Sequence, residues 1–267
     1  MAETRFSECL IYWYSGTGNS FLVAERIAET IAADGLSVSM VQIKKNLIPI
    51  VPENALIGLV FPIAASGTYP FIWDFFKRLP PADNKIFMAD TLGGFSGGIK
   101  GPLGRCLDAK GYQRIGAIEI VMPENFPPGR KSSGRQAAKR IEPGLEKAED
   151  FAKNLLHGET SWKDIPVVSE LLGAVCRFKS PWQLMRRIFA FGIVAEKCSR
   201  CGLCVKLCPV NNIESTGDGV PVFKNGCQIC MRCIAYCPER AILSKYGQGL
   251  DYRAVSAEKL LIDWRKI

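Results

Sequence analysis

Two stretches near the C-terminus repeat one cysteine spacing: Cys198-Ser-Arg-Cys201-Gly-Leu-Cys204-Val-Lys-Leu-Cys208-Pro209 and Cys227-Gln-Ile-Cys230-Met-Arg-Cys233-Ile-Ala-Tyr-Cys237-Pro238. Each reads C-x2-C-x2-C-x3-C-P, and every cysteine of the second copy lies 29 residues after its counterpart. Thiolates at this spacing hold [4Fe–4S] clusters, because three closely spaced cysteines curl around one face of the iron–sulfur cube. The repeat therefore predicts two such clusters in a pseudo-twofold unit.

The fourth cysteine of each copy, which precedes a proline, is expected to bind the cluster of the other copy. This crossing predicts one ligand set of Cys198, Cys201, Cys204 and Cys237, and a second set of Cys208, Cys227, Cys230 and Cys233. Zinc knuckles and a disulfide framework are the alternatives, since paired C-x-x-C elements also occur there. Zinc sites usually have a longer loop between ligand pairs and often use histidine, whereas these runs are compact and free of histidine. We therefore favour iron–sulfur ligation.

Composition agrees with a soluble chain long enough for two domains, since 48% of the 267 residues are hydrophobic and 22% are charged. No apolar run reaches the length of a membrane span. Charged residues interrupt the N-terminus, so we expect no secretory signal there. Cysteines used as metal ligands predict a reducing, cytoplasmic location.

The first 125 residues alternate strand and helix patterns. Strands are predicted at Cys9–Tyr14, Val38–Ile43, Ala55–Phe61, Lys85–Ala89 and Ala117–Met122, and helices at Ser20–Ala33, Tyr69–Arg78 and Lys100–Lys110. Alternation of this kind is typical of a parallel sheet with helices on both faces. Five strands in this order favour an α/β fold with a flavodoxin-like doubly wound sheet of order 2-1-3-4-5.

Beyond the proline-rich stretch Pro123–Pro128, a long charged helix is predicted at Ser132–Leu156, followed by apolar runs at Leu171–Cys176 and Leu184–Val194. We predict a flavodoxin-like domain at 1–158, a basic helical connector at 159–192 and a small α+β domain with its tail at 193–267. The tail, Ser256–Ile267, has the pattern of a short amphipathic helix.

A loop of small and hydroxyl residues follows the first predicted strand, Ser15-Gly16-Thr17-Gly18-Asn19-Ser20. Backbone N–H groups, hydroxyls and the N-terminus of the next helix make such a turn a cradle for phosphate. The loop has neither the G-x-x-x-x-G-K-[ST] nor the G-x-G-x-x-G pattern, so ATP-binding and NAD-binding folds fit poorly. A purely structural turn is the alternative.

Two further loops are expected at the carboxyl ends of strands, where such sheets bind ligands. They contain Ser66, Gly67, Thr68 and Tyr69 after the third strand, and Thr91, Leu92, Gly93, Gly94 and Phe95 after the fourth. Glycines there let the backbone approach a flat ring. Tyr69 and Phe95 are the candidates to cover its faces, with ordinary core packing as the alternative.

Residues 1–125 resemble a flavodoxin domain through the S-x-T-G-N-S loop, and residues 196–244 resemble a bacterial two-cluster ferredoxin through the cysteine runs. The chain as a whole resembles the flavodoxin–ferredoxin fusion proteins of anaerobic bacteria and archaea, also known as iron–sulfur flavoproteins. The resemblance implies non-covalent FMN, with its contacts in the three loops. The loop after the fourth strand is glycine-rich and departs from the family by lacking a ring-stacking tyrosine that many flavodoxins have there.

These features favour an electron carrier that passes low-potential electrons between two [4Fe–4S] clusters, FMN and a redox protein partner. Two alternatives stay open: a flavin-dependent reductase of a small substrate or metal centre, and a redox sensor or interaction module with an empty flavin pocket. Whether the chain is itself an enzyme is left open, as is its oligomeric state.

The formal net charge of +8 says little about partners, because two oxidised clusters with their thiolates remove about four charges. The excess is concentrated between residues 130 and 200, which hold 14 Lys and Arg against 8 Asp and Glu. A solvated helix face and a docking site for an acidic redox protein are the two interpretations. Nucleic acid is not an expected partner.

Overall fold

The computed structural model describes residues 6–65, 67–94, 98–124, 134–163, 179–244, 247–248 and 252–267. Its main sheet contains five parallel strands: β1 (Cys9–Trp13), β2 (Val38–Gln42), β3 (Leu56–Pro62), β4 (Lys85–Leu92) and β5 (Gln113–Val121). They lie in the order β2-β1-β3-β4-β5. The predicted flavodoxin-like order 2-1-3-4-5 is thus confirmed.

Helices cover both faces of this sheet: α1 (Asn19–Ala33), α2 (Pro70–Arg78), α3 (Lys100–Asp108) and α4 (Gly134–Leu156). α1 and α4 pack together on one face and α2 and α3 on the other. β1 is buried along its whole length, with Ile11 and Trp13 facing the first pair and Leu10 and Tyr12 facing the second. Burial on both faces explains why the strand is continuously apolar.

The C-terminal region consists of short elements around the cysteine runs: α5 (Lys179–Ile188), β6 (Phe191–Ile193), α6 (Leu203–Leu207), β7 (Ile213–Ser215), β8 (Pro221–Phe223), α7 (Arg232–Tyr236), β9 (Ile242–Ser244) and β10 (Gly247–Gln248). β9 pairs with β6 and β10, and β7 pairs with β8, all antiparallel. The predicted small α+β unit is therefore present. The apolar run predicted at Leu171–Cys176 lies outside the described residues.

The tail prediction was wrong. Residues Glu258–Leu261 form a short 3-10 turn, and Trp264–Lys266 form β11, which pairs antiparallel with β2 at the edge of the main sheet. Glu25 of α1 holds this tail through ion pairs with Lys259, 3.2 Å away, and with Arg265. A free sheet edge favours a strand because it offers unpaired N–H and C=O groups. Within the described residues, no helix has the length and apolarity needed to cross a bilayer.

Asp90 of β4 is an unusual core residue, because it is fully buried and neither carboxyl oxygen has a hydrogen-bond partner among the described residues. Burial and the neighbouring Glu119 carboxylate raise its pKa well above the usual range, against the opposing effect of Lys100 and Lys147. The folded protein therefore keeps a proton on Asp90 that the unfolded chain releases above about pH 4.

We expect the substitution Asp90→Asn to stabilise the fold increasingly as the pH rises. At low pH, Asp90 is protonated in both the folded and the unfolded chain, and the folded protein has its full stability. As the pH rises from the pKa of Asp90 in the unfolded chain to its raised pKa in the folded protein, the parent protein loses stability. The neutral amide has no such loss. Unfolding midpoints of both proteins between pH 5 and pH 8 check this expectation. A difference between them that stays constant with pH would contradict it.

Candidate functional site

The small-residue loop lies between β1 and α1, with Gly18 at φ 110° directly before the helix. The N–H of Gly18 donates to Ser15 Oγ at 2.9 Å. Ser20 Oγ and Thr91 Oγ1 are 2.7 Å apart, which ties this loop to the end of β4. The Nδ2 of Asn19 donates to the carbonyl of Pro123 at 2.8 Å, after β5. These bonds hold three strand ends around the first turn of α1.

A cavity of about 570 Å³ opens at these strand ends. The structure places ten of the predicted cofactor-binding residues along it: Ser15, Gly16, Thr17, Asn19, Ser20, Tyr69, Thr91, Leu92, Gly93 and Gly94. Thr68 is fully buried and donates to the carbonyl of Pro62 at 3.0 Å instead, and Gly67 pairs with Ala64 in an isolated bridge. Ser66 and Phe95 lie outside the described residues.

Gly18 also does not line the cavity. A Cβ there would lie 2.8 Å from the backbone nitrogen and side chain of Val255, so this residue faces the C-terminal segment. The N–H of Ala254 donates to the carbonyl of Thr17 at 2.8 Å, and Tyr252 donates through its hydroxyl to Asn19 at 2.6 Å. The outer side of the loop is thus covered by residues 252–255, while its inner side lines the cavity.

The cavity has a polar end and an apolar end. Hydroxyls and backbone of residues 15–20 form the first, while aromatic and aliphatic side chains form the second, including Tyr69, Trp182 and Met185. Glu124 is the one charged residue among the described residues of the lining. A phosphate at the polar end would be held by N–H groups and the helix dipole rather than by cations. Size and polarity fit a flat aromatic ligand with an anionic tail.

Sequence reasoning missed four residues that complete the apolar end. Trp182 and Met185 come from α5, and Ile229 and Met231 come from the second cysteine run. Both of the latter have positive φ, 57° and 67°, a conformation that is costly for a β-branched residue such as Ile. Their counterparts in the first run, Arg200 and Gly202, share it at 58° and 70°. The repeat thus preserves the backbone and changes the side chains.

The eight motif thiols fall into two groups. Cys198, Cys201, Cys204 and Cys237 line one cavity, and Cys208, Cys227, Cys230 and Cys233 line another. We call the second group the proximal set, because Met231 lines both its cavity and the 570 Å³ cavity. The first group is the distal set, and its Cys201 is exposed to solvent. These are the two crossed sets expected from the spacing.

Backbone N–H groups donate to sulfur at matching positions of the two copies. Arg200 donates to Cys198 Sγ at 3.4 Å and Ile229 to Cys227 Sγ at 3.4 Å. Asn212 donates to Cys208 Sγ at 3.2 Å, and Ala241 to Cys237 Sγ at 3.3 Å. Such bonds stabilise thiolate ligands and tune the potential of an iron–sulfur cluster.

The donors at each site fit a [4Fe–4S] cluster, because each set consists of four cysteines. Burial raises the pKa of Cys227 to about 12, so cluster assembly must displace its proton.

Outside the motifs, Cys9 is buried, Cys106 is partly buried, and Cys176 lies outside the described residues.

The proximal set is joined directly to the loop after β1. Arg232 Nε donates to the carbonyl of Ser15 at 2.7 Å, and the Tyr236 hydroxyl donates to the carbonyl of Thr17 at 3.1 Å. At Gly16 a Cβ would lie 2.5 Å from the Cys230 carbonyl oxygen. The absence of a side chain at Gly16 lets the two loops touch.

Comparison with known proteins identifies the cysteine-rich region. Residues 191–247 match the family described as the 4Fe-4S dicluster domain. A ferredoxin of Methanothermococcus thermolithotrophicus is 42% identical over 53 residues, which cover 88% of that ferredoxin and 19% of this chain. The chain belongs to the dicluster ferredoxin family. Because the sheet of residues 9–121 has flavodoxin-like order, the chain is a fusion of a flavodoxin-like domain and a ferredoxin domain.

Solved flavodoxins align with the part of the chain that precedes the ferredoxin domain. The flavodoxin of Streptococcus pneumonia TIGR4 is 15% identical, with 56% of this chain and 97% of that chain covered and a TM-score of 0.39. A short-chain flavodoxin associated with a PDU bacterial microcompartment is 14% identical, with 58% and 100% covered and a TM-score of 0.40. The flavodoxin-like fold is shown by the strand order β2-β1-β3-β4-β5.

Proposed function

We propose that this protein is an electron-transfer iron–sulfur flavoprotein with two [4Fe–4S] clusters and one FMN. The observation that supports it most is the position of Met231, which lines both the proximal thiol cavity and the 570 Å³ cavity. Met231 would therefore contact both the candidate cluster and the candidate flavin. When bound, the clusters supply one-electron chemistry and FMN supplies one- and two-electron chemistry.

In this proposal the 570 Å³ cavity binds FMN, and we call it the flavin cavity. Its residues have different roles. The loop from Ser15 to Ser20 would hold the phosphate, and Thr91 to Gly94 would contact the polar edge of the ring. Tyr69, Trp182 and Ile229 would exclude water from the ring, since Tyr69 is 8%, Trp182 3% and Ile229 4% exposed. A dry site favours electron transfer over side reactions with solvent.

The two thiol sets would occupy opposite ends of the electron route. The proximal set lies against the flavin cavity, whereas the distal set exposes Cys201. An external redox protein would therefore exchange electrons at the distal end.

The basic stretch 130–200 would steer an acidic partner, so reduction rates should fall as ionic strength rises. We retain the division into 1–158, 159–192 and 193–267, and a reducing cytoplasm, as parts of this proposal.

Metal and flavin analysis of anaerobically purified protein tests the proposal. We expect about eight irons, about eight acid-labile sulfides and about one FMN per chain. Stoichiometric zinc without acid-labile sulfide would contradict the cluster assignment. Full clusters in a chain that does not bind added FMN would contradict the flavin assignment and favour a sensor or interaction module.

A further inference from the structure

Arg232 is a buried cation in the wall of the proximal thiol cavity. It begins α7, between the ligand candidates Cys230 and Cys233, and is 1% exposed. Its Nε donates to the Ser15 carbonyl at 2.7 Å, and its Nη1 donates to Gln42 Oε1 at 3.2 Å and to the Leu207 carbonyl at 3.4 Å. The guanidinium therefore lies between the flavin loop and the proximal set.

The charge of Arg232 has no carboxylate partner among the described residues, and its Nη2 is buried without a hydrogen-bond partner there. Its guanidinium lies 4.5 Å from the centre of the buried Tyr14 ring, which supplies a cation–π contact but no negative charge. A buried cation is costly unless a negative charge compensates it. A cluster with four thiolates has a net charge of about −2, and it would lie in the same cavity wall.

The internal repeat shows that this charge belongs to one cluster site only. The position 29 residues before Arg232 is Leu203, which begins α6 beside the distal set. Both helices follow a residue with positive φ, Gly202 at 70° and Met231 at 67°. The two sites therefore share their backbone but differ by one buried charge. The distal cavity is lined by Arg200, which is exposed and near Asp218.

We propose that Arg232 is a positioning residue that raises the reduction potential of the proximal cluster above that of the distal cluster. The inference rests on the proposed function, since it needs both clusters. Reduction adds one electron to the proximal cluster and no proton to Arg232, so the added negative charge is stabilised by the fixed cation. Water screens this attraction little, because the guanidinium is buried.

Such an arrangement makes the proximal cluster the favoured electron acceptor of the pair. Electrons entering at the exposed distal end would then collect beside the flavin cavity. The same guanidinium holds the Ser15 carbonyl, so it also fixes the loop that would bind the phosphate. One side chain thus couples the potential of the cluster to the position of the flavin loop.

The test compares Arg232→Met, Arg232→Gln and Arg232→Lys with the control Arg200→Gln. Potentials are measured by anaerobic redox titration with electron paramagnetic resonance, after iron analysis has shown that both clusters are present. We expect the two neutral variants to disfavour reduction of one cluster at least about tenfold, which is 59 mV for one electron. Arg232→Lys should shift the potential of that cluster less, because it keeps the positive charge. Arg200→Gln should change neither potential by a comparable amount, since the charge of Arg200 is solvated.

Unchanged potentials in a neutral variant that contains both clusters would overturn the inference and leave the proposed function intact. If neither neutral variant binds iron, the unmodified protein decides the question. Its two clusters must then differ in reduction potential. The paramagnetic resonance signal of the cluster with the higher potential must be the signal that changes in the variant Cys230→Ser. Equal potentials, or a lower proximal potential, would overturn the inference. Failure of the unmodified protein to contain eight irons would instead overturn the proposed function.

Discussion

Replacing Cys230 with alanine should remove the proximal cluster and stop electron exchange between the ferredoxin domain and the flavin cavity. Iron content should fall from about eight to about four per chain, since one of two four-iron clusters loses a ligand. The reason is geometric, because the proximal cavity is the one that shares Met231 with the flavin cavity. Rapid reduction of the clusters, followed by absorbance of the flavin, measures the intramolecular rate.

Cys201→Ala is the matched variant. It should lose a similar amount of iron, because Cys201 belongs to the distal set, yet keep the intramolecular phase. Cys106→Ala, which changes a partly buried thiol outside both sets, should keep all the iron. Loss of the intramolecular phase in Cys201→Ala together with its survival in Cys230→Ala would reverse the proposed order of the two sites.

The substitution Gly16→Ala should weaken FMN binding, because it adds a methyl group where two loops touch. Its Cβ would lie 2.5 Å from the Cys230 carbonyl oxygen, and a backbone atom in a ligand-bearing loop has little room to move. Overpacking of this kind costs about 1–3 kcal/mol. The free protein can relieve this strain by moving the loop, and FMN binding would restore it, so the affinity should fall by up to about 150-fold. Fluorescence titration of the flavin-free protein with FMN measures it.

Gly217→Ala is the control for Gly16→Ala, because a Cβ at Gly217 meets nothing within 4 Å. This variant should bind FMN as the parent protein does. Iron content reports whether the loop that carries Cys230 was disturbed by the added methyl group. An unchanged FMN affinity in Gly16→Ala would show that the loop does not hold the ligand at this contact.

Local patterns predicted the sheet well. The strand runs at Cys9–Tyr14 and Val38–Ile43 are observed at Cys9–Trp13 and Val38–Gln42, and the first helix ends at Ala33 as predicted. Such elements are encoded by short-range periodicity and by a stop residue such as Gly35. The helix predicted for the tail was wrong for the opposite reason, because the structure of the tail depends on a distant part of the chain. Trp264 pairs with Val41, which is more than 200 residues away, so the sequence around Trp264 does not contain its partner.

The candidate site shows the same division. Residues 15–20 and 91–94 could be found from sequence, because they follow strands and consist of small or hydroxyl residues. Ile229 and Arg232 could not, since they occupy variable positions of a cysteine motif whose spacing describes only the thiols. A comparison of the two cysteine runs would have shown that Arg232 occupies the position of Leu203 in the first run. The burial of Arg232 and its hydrogen bond to Ser15, however, come from packing between residues 217 positions apart in the chain.

The amino-acid sequence by itself determined the parallel α/β sheet, the ferredoxin domain and the thiol chemistry, because periodicity and ligand spacing are local properties of the chain. Tertiary structure alone decided which thiol set lies beside the flavin cavity. A pseudo-twofold repeat offers two nearly equivalent faces. The choice between them is made by the contacts of Gly16 with Cys230 and of Arg232 with Ser15, which exist only after the two domains pack.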